Sequence, residues 1–139
     1  MVKPSTPPTI CLIDDDRIYQ FTAKRIIELV NPHQKVLVFS NGKEAIDFFT
    51  QTELSQDELP DLIFLDINMP VMNGWEFLEA YHELKGNLQK EINIYMVSSS
   101  LDEDDKIRSQ KFNEVKDFIV KPINRERMVD ILKLPQPIA

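Results

Sequence analysis

The sequence has little of the material that disulfide frameworks, zinc centres and membrane spans are built from. Its single cysteine, Cys11, allows neither an intrachain disulfide nor a zinc site made of cysteines. No apolar run approaches the roughly 18 residues that cross a bilayer. The segment 1–8 has no apolar stretch of the kind found in signal peptides. We therefore expect a cytoplasmic protein that does not enter a membrane.

Basic side chains are also scarce, with 16 lysines and arginines against 23 aspartates and glutamates and a net charge of -7. Such a surface is unsuited to replacing the counterions of nucleic acid or to binding anionic lipid. The composition is otherwise that of a globular protein, with 42% hydrophobic and 28% charged residues. The 139 residues predict one domain over 1–139, with a core at about 9–134 between short proline-containing tails.

Short continuous apolar runs alternate with longer amphipathic runs along the chain. Runs of this kind are typical of strands buried on both faces of a parallel sheet. The repeated order of strand then helix predicts an α/β fold with right-handed crossovers, in which ligands bind beyond the carboxyl ends of the strands. The five predicted strands are Ile10–Ile13, Val36–Phe39, Leu62–Leu65, Ile94–Val97 and Phe118–Val120.

The amphipathic runs predict five helices. Asp16, Asn41 and Asn73 are the predicted N-caps of the first three, because their side chains can accept hydrogen bonds from a first turn. The last helix is predicted from about 124 to 134. The predicted inner face of the first helix consists of Ile18, Phe21, Ile26 and Leu29.

The fourth helix is predicted from about Leu101 to Lys111 and is anchored by fewer apolar residues than the first and third. Ser100–Glu103 reads as a capping box with Ser100 as the N-cap. The inward stripe is thin, because only Leu101, Ile107 and Phe112 offer apolar contacts. A helix held by so few contacts shifts more easily than its neighbours.

Charged or hydroxyl-bearing residues follow four of the five strands, where the geometry of a parallel sheet brings them together. Gathered carboxylates repel one another unless a cation is present, and two carboxylates, a backbone carbonyl and waters are a typical Mg2+ shell. A lysine and a serine hydroxyl could hold a phosphoryl group, and an aspartate could accept it covalently. The residues are Asp14, Asp15 and Asp16 after the first strand, Asp66 after the third, Ser98–Ser100 after the fourth and Lys121 after the fifth.

This constellation resembles the receiver domain of two-component response regulators, over nearly the whole chain. The resemblance is carried by the strand ends Leu12–Asp15 and Val97–Ser99, by the segment Pro60–Gly74, and by Phe118–Pro122. It implies a flavodoxin-like, doubly wound sheet of five parallel strands in the order 2-1-3-4-5. One acidic pair alone would be a weak motif, whereas four matching strand ends in order are specific.

The resemblance also implies roles for single residues. Asp66 would be the phosphorylated aspartate. The Mg2+ ion, with Mn2+ as a substitute, would be held by Asp14, Asp15, Asp66 and the backbone carbonyl of Asn68. The third acid of the first strand end, Asp16, is read as a helix cap and not as a ligand.

Three further residues would act on the phosphoryl group or respond to it. Ser98 would be the switch hydroxyl, in place of the common threonine, and Lys121 would pair with the phosphoryl oxygens. Phe118 would be the switch aromatic, although many family members carry tyrosine there, and packing alone is the alternative for this residue. The Lys121–Pro122 peptide bond is expected to be cis.

A receiver of this kind would take its phosphoryl group from a sensor histidine kinase or a histidine phosphotransfer protein. Its own chemistry would be limited to self-phosphorylation and self-dephosphorylation, without turnover of external substrates. Phosphorylation would shift a conformational equilibrium and change the binding of a downstream protein at the face of the fourth helix, fifth strand and fifth helix. The protein would be a monomer or a homodimer linked to phosphorylation.

Two other functions fit parts of the pattern. A phosphohydrolase of the haloacid dehalogenase type carries a second aspartate two residues after its nucleophile, but Asn68 occupies that position here. An interaction module with a dead site would have lost acceptor, acidic pair or lysine, and all are present. The short tail beyond Leu134 predicts a receiver that stands alone, with a fragment of a longer regulator as the alternative.

Overall fold

The computed structural model describes residues 8–51, 56–88 and 90–133, which form alternating strands and helices. The strands are β1 Ile10–Ile13, β2 Val36–Phe39, β3 Leu62–Asp66, β4 Asn93–Ser98 and β5 Val115–Val120. The α-helices are α1 Arg17–Val30, α2 Gly42–Phe49, α3 Gly74–Leu84, α4 Glu103–Ser109 and α5 Arg125–Lys133. Leu134, the predicted end of the last helix, lies outside the described residues.

The strands form one parallel sheet in the order β2-β1-β3-β4-β5, which confirms the predicted fold class and strand order. β1, β3 and β4 are buried along their whole length, as their continuous apolar runs predicted. β5 begins three residues earlier than predicted. Its exposed Lys116 and Asp117 lie on an edge strand, where polar side chains face solvent and break the apolar run.

Two hydrophobic layers cover the sheet. One contains Ile13, Leu65 and Met96 together with residues of α2 and α3, and the free cysteine Cys11 is buried within it. The other contains Leu12 and Phe64 together with residues of α1 and α5. In the described part of the chain, no helix is long and apolar enough to cross a membrane.

The predicted inner face of α1 is wrong for three of its four residues. Ile18, Phe21 and Leu29 are 79%, 75% and 53% exposed, and Ile26 is half-buried. The helix buries Ala23 and Ile27 and packs Tyr19, Val30 and the predicted Ile26 against the same layer. The helix carries two apolar stripes, and the turn from β1 through the N-cap Asp16 decides which of them faces the sheet.

The N-caps of the first three helices are confirmed, but that of α4 is not. Asp16, Asn41 and Asn73 accept hydrogen bonds from the first turns of α1, α2 and α3. In α4 the cap is Asp102 instead of Ser100, since the Asp102 carboxylate accepts from the N–H groups of Asp104 and Asp105. A carboxylate at this end of a helix is also favoured by the helix dipole.

The inward stripe predicted for α4 is also wrong for two of its three residues. Leu101 and Ile107 are 58% and 55% exposed, and Ser109 is the buried residue of the helix. Phe112, just beyond the helix, packs on the sheet and stacks on Trp75 with ring centroids 6.4 Å apart. The helix is therefore anchored even more lightly than its sequence predicts.

Candidate functional site at the carboxyl edge of the sheet

Three carboxylates meet where β1 and β3 end side by side. Asp14 and Asp15 follow β1 directly, and Asp66 is the last residue of β3. One carboxylate oxygen from each lies within 4.8 Å of the others, which is the spacing of a set of metal ligands. Asp14 and Asp66 are 1% and 7% exposed, whereas Asp15 is open to solvent. Hard oxygen donors in this arrangement suit Mg2+ or Mn2+.

The turn after β1 fixes the direction of Asp14. Its carboxylate Oδ1 accepts a hydrogen bond of 2.9 Å from the backbone N–H of Asp16. The side-chain amide of Gln20, one turn into α1, donates to the Asp14 backbone carbonyl. Asp16 in turn caps α1, so one run of three acids both supplies the cluster and starts the helix beside it.

The turn after β3 is fixed by a close approach of backbone to backbone. Gly74, the first residue of α3, donates its N–H to the Ile67 carbonyl at 2.8 Å. A Cβ at Gly74 would lie 2.5 Å from the Asp66 carbonyl oxygen, closer than any side chain tolerates. Only glycine therefore lets α3 begin against the strand end, where Asp66 Oδ1 accepts from the Ile67 N–H at 2.9 Å.

Among the residues that the structure describes, Lys121 is the cation paired with the cluster. Lys121 follows β5 and reaches the carboxylates, with Nζ 2.7 Å from Asp14 Oδ2 and 3.7 Å from Asp66 Oδ1. Its backbone N–H donates to the Ser98 carbonyl at 2.7 Å, which joins the ends of β4 and β5. The Lys121–Pro122 peptide is cis, as predicted.

Lys121 does not fully offset the effect of burial on the two buried carboxylates of the site. Burial, followed by repulsion from Asp14, raises the pKa of Asp66 to about 6 in spite of Lys121. Burial also raises the pKa of Asp14, although its hydrogen bond to Lys121 opposes that rise. Both shifts mean that the folded protein holds these carboxylates ionised at a cost. An added cation would remove it.

The remaining predicted residues lie on β4, on β5 and in the loop after β3. Ser98 ends β4 and is 5% exposed, with its hydroxyl oxygen 3.3 Å from the Ser100 N–H that donates to it. Asn68 is exposed in the loop just after Asp66. Phe118 is half-buried and packs on the hydrophobic layer of α2 and α3. The structure thus brings together Asp14, Asp15, Asp66 and Lys121, and the backbone of Lys121 joins Ser98 to them.

Two side chains of the site were not found from the sequence. Gln20 holds the Asp14 carbonyl, and the ring of Tyr19 lies under Lys121, with Nζ 4.4 Å from the ring centroid. Both lie in the first turns of α1. The predicted inner face, which included Ile18 and Phe21, placed Tyr19 and Gln20 on the outer side of the helix. The signal that could have found them is the cap at Asp16, since the residues three and four positions later face back toward the strand end.

With this site on the carboxyl edge of a β2-β1-β3-β4-β5 sheet, comparison with known proteins gives the class. The family model of the response regulator receiver domain matches residues 10–133. The chain belongs to this family.

Individual relatives agree with the family. The nitrate/nitrite response regulator protein NarL of Escherichia coli K12 is 38% identical over 93 residues, covering 67% of this chain and 39% of NarL. The response regulator Rcp1 of Synechocystis is 28% identical, covering 99% of this chain and 91% of Rcp1. A hybrid histidine kinase of Dictyostelium discoideum is 28% identical over 128 residues, and this match spans only 7% of the kinase. The chain thus covers a small part of some relatives and most of others.

Solved structures show the same fold. A two-component response regulator from Cytophaga hutchinsonii superposes with a TM-score of 0.79 at 26% identity, over 88% of this chain and 92% of that one. The Mn2+-bound form of Rcp1 has a TM-score of 0.66 at 22% identity, over 95% of this chain and 100% of that one.

The raised pKa of Asp66 predicts an unusual dependence of stability on pH for the metal-free protein. Between 3.8, the ordinary value, and about 6, the folded state binds more protons at Asp66 than the unfolded chain does. Stability should therefore fall as the pH rises through this window and stay low above it. Asp66→Asn should remove this loss and raise the free energy of unfolding at pH 7 by on the order of 1–3 kcal/mol.

Denaturant unfolding in EDTA from pH 4 to pH 8 measures this effect. The matched control is Asp47→Asn, an exposed aspartate on α2 that pairs with Lys43 and lies outside the cluster. Its profile should follow that of the wild type. If Asp66→Asn and the wild type differ by the same amount at pH 4 and pH 7, Asp66 does not carry the charge strain assigned to it.

Proposed function

We propose that the protein is a phosphorylatable response-regulator receiver, in which Asp66 accepts a phosphoryl group from a phosphohistidine donor. The observation that carries the proposal is the juxtaposition of three carboxylate oxygens within 4.8 Å of one another with the ammonium group of Lys121. A carboxylate oxygen of Asp66 attacks phosphorus, the bond from phosphorus to the donor nitrogen breaks, and the donor histidine keeps that electron pair.

The residues fit a divalent cation. Asp14, Asp15 and Asp66 would hold it, together with the backbone carbonyl of Asn68, and Rcp1 has been solved in a Mn2+-bound form. A bound Mg2+ supplies charge neutralisation for the carboxylates and for phosphoryl oxygens. Lys121 places a second positive charge at the same point, and the Ser98 hydroxyl is buried at the neighbouring strand end, where it can donate to a phosphoryl oxygen.

The acceptor assignment predicts the outcome of labelling with acetyl phosphate. Incubation of the wild-type protein with acetyl phosphate and Mg2+ should add one phosphoryl mass, measured on the intact protein. Asp66→Asn should lose nearly all of it, because an amide oxygen is a poor nucleophile. Asp15→Asn, which keeps the acceptor and removes one metal ligand, should slow the labelling, as should omission of Mg2+.

Asp47→Asn again serves as the control and should be labelled at the wild-type rate. Full labelling of Asp66→Asn would contradict the assignment of the acceptor. Absence of label in the wild type would favour an interaction module with a dead site. Repeated turnover of a phosphomonoester would favour a phosphohydrolase, for which Asn68 offers no acid.

The N-terminal half of α1 is the face we assign to the phosphoryl donor. Ile18 and Phe21 are the two most exposed large hydrophobic side chains of the described residues, and they lie within the first two turns after the acidic run. The helix also carries the exposed cations Arg17, Lys24 and Arg25 against a single acid in a chain with a net charge of -7. An apolar patch with a basic rim beside the acceptor suits a kinase or phosphotransfer protein of complementary shape and charge.

This assignment predicts a variant that separates protein donors from small donors. Phe21→Ser should slow phosphotransfer from any histidine-phosphorylated protein that labels the wild type, by about fivefold or more, since anchors of this kind contribute 1–2 kcal/mol or more. Labelling by acetyl phosphate should be unchanged. Leu29→Ser, on the same helix but three turns from the site, is the control and should leave both rates alone. Equal slowing with both donors would place the defect in the site instead of the docking face.

The downstream face is proposed at α4, β5 and α5. Leu101, Ile107 and Val120 expose 58%, 55% and 41% of their surface here. α4 begins three residues after Ser100, and its Arg108 guanidinium lies over the Trp75 ring at 4.4 Å. α4 is lightly anchored and follows β4, which ends at Ser98. Movement of Ser98 would therefore shift α4 before other elements. A partner or a second copy would bind this face in the phosphorylated state.

Hydrogen exchange tests whether phosphorylation changes the conformation of the proposed downstream face. Loading with Mg2+ and beryllofluoride should alter exchange in residues 98–121 relative to the unloaded protein. Ser98→Ala should still bind the mimic but show a smaller change there, because it lacks the hydroxyl that closes on the phosphoryl position. Changes confined to residues 14–16 and 66–70 would mean that the site loads without moving this face.

A further inference from the structure

We infer that Tyr19 is a positioning residue for Lys121, whose ring face holds the lysine ammonium between Asp14 and Asp66; the inference deepens the proposed function and rests on it. The Lys121 Nζ lies 4.4 Å from the centroid of the Tyr19 ring. The same atom lies 2.7 Å from Asp14 Oδ2 and 3.7 Å from Asp66 Oδ1. The ammonium thus has two anionic neighbours and one aromatic face close to it.

The ring, and not the hydroxyl, makes this contact. The Tyr19 hydroxyl is buried and has no hydrogen-bond partner among the described residues. The face of an aromatic ring carries negative charge density that attracts an ammonium group, and the attraction grows when the pair is desolvated. The side chain of Lys121 is only 16% exposed, so water competes little for its ammonium.

The surroundings keep Tyr19 in the neutral form that this contact needs. Burial, followed by the charges of Asp14 and Asp66, raises the pKa of the Tyr19 phenol well above its usual range. The hydroxyl therefore keeps its proton although it lies near two carboxylates. A group that bonds to nothing and does not ionise contributes only its ring to the site.

The position of Tyr19 follows from the acidic run. Asp16 caps α1 by accepting from the Tyr19 backbone N–H at 3.2 Å, and the Asp16 N–H binds Asp14 at 2.9 Å. The helix is thereby locked to the strand end in the rotation that puts Tyr19 beneath Lys121. Asp16 is not a metal ligand in our proposal. It affects the position of Lys121 indirectly, because it caps the helix that carries Tyr19.

The ring matters because a lysine side chain is long and flexible. Four rotatable bonds allow Nζ to follow the strongest single attraction, which is Asp14 at 2.7 Å. The ring limits this freedom because it offers Nζ a further attractive neighbour at 4.4 Å. It keeps the charge within reach of Asp66, where the phosphoryl group would arrive. Without it, Lys121 should spend less time there, and phosphoryl uptake should slow.

Two substitutions separate the ring from the hydroxyl. Tyr19→Phe keeps the ring face and should retain phosphorylation by acetyl phosphate within about twofold of the wild type. It should also be at least as stable, because it removes a buried hydroxyl without a partner. Tyr19→Leu removes the face and should slow phosphorylation by about 3- to 30-fold, the range expected from loss of a partly buried cation–π contact. Tyr19→Met replaces the leucine variant if that one does not fold.

A readout independent of phosphorylation comes from NMR of the metal-free protein. A ring face 4.4 Å away should shift the ε-methylene protons of Lys121 upfield in the wild type and in Tyr19→Phe, but not in Tyr19→Leu. Because this arm needs no phosphoryl group, it judges the contact even if the wild type is never labelled, in which case the proposed function alone fails. Absence of the upfield shift in the wild type would overturn the inference.

Loss of packing alone is tested by Ile131→Val on α5. This residue is 1% exposed and belongs to the same hydrophobic layer as Tyr19, so its truncation lowers stability without removing a neighbour of Lys121. It should be labelled at the wild-type rate at a temperature well below its unfolding. If Ile131→Val slows labelling as much as Tyr19→Leu does, Tyr19 is a core residue only.

Discussion

Mutual repulsion among the carboxylates at one edge of the sheet is the constraint around which the rest of the structure is arranged. Asp14, Asp15 and Asp66 place their oxygens within 4.8 Å of one another, and two of these side chains are almost fully buried. Such a cluster persists only if rigid elements hold it and a cation offsets it. The rigid elements are the two central strands β1 and β3. The fixed cation is Lys121, which reaches in from the edge of the sheet.

This constraint explains why the turns around the site depend on particular residues. There is no room for a side chain at Gly74, and the Asp16 carboxylate accepts a hydrogen bond from the first turn of α1. Val71, in the loop between β3 and α3, adopts a φ of 67° that is unfavourable for a β-branched residue. Strain of this kind is kept where surrounding contacts fix the chain. The sheet supplies stability, and the loops at its carboxyl edge use part of it to hold like charges together.

The sequence predicted the strands and strand ends well because their information is local. Short continuous apolar runs such as Leu62–Leu65, followed by turn residues, favour buried strands, and parallel pairing then carries their carboxyl ends to one edge. The prediction from sequence failed where two apolar stripes of one helix could each have faced the sheet. α1 has a second apolar stripe, which includes Phe21, and its rotation is decided by the turn after β1. The contact between Tyr19 and Lys121 joins residues 102 positions apart and leaves no periodic trace.

The residues wrongly predicted to be buried indicate which surfaces could bind partners. A large apolar side chain that helical periodicity assigns to the core, and that the fold leaves exposed, is stabilised by nothing in the chain itself. Phe21 on α1 and Ile107 on α4 are of this kind, and they lie on helices that both begin at the carboxyl edge of the sheet. The two helices differ in anchorage. α1 is fixed by Asp16, Ala23 and Ile27, whereas α4 buries Ser109 and rests Arg108 on Trp75. A rigid face suits recognition of a donor that must meet Asp66 in a set geometry, and a loosely held face suits a response that must move. The different roles that we propose for the two helices therefore rest on how firmly each is packed.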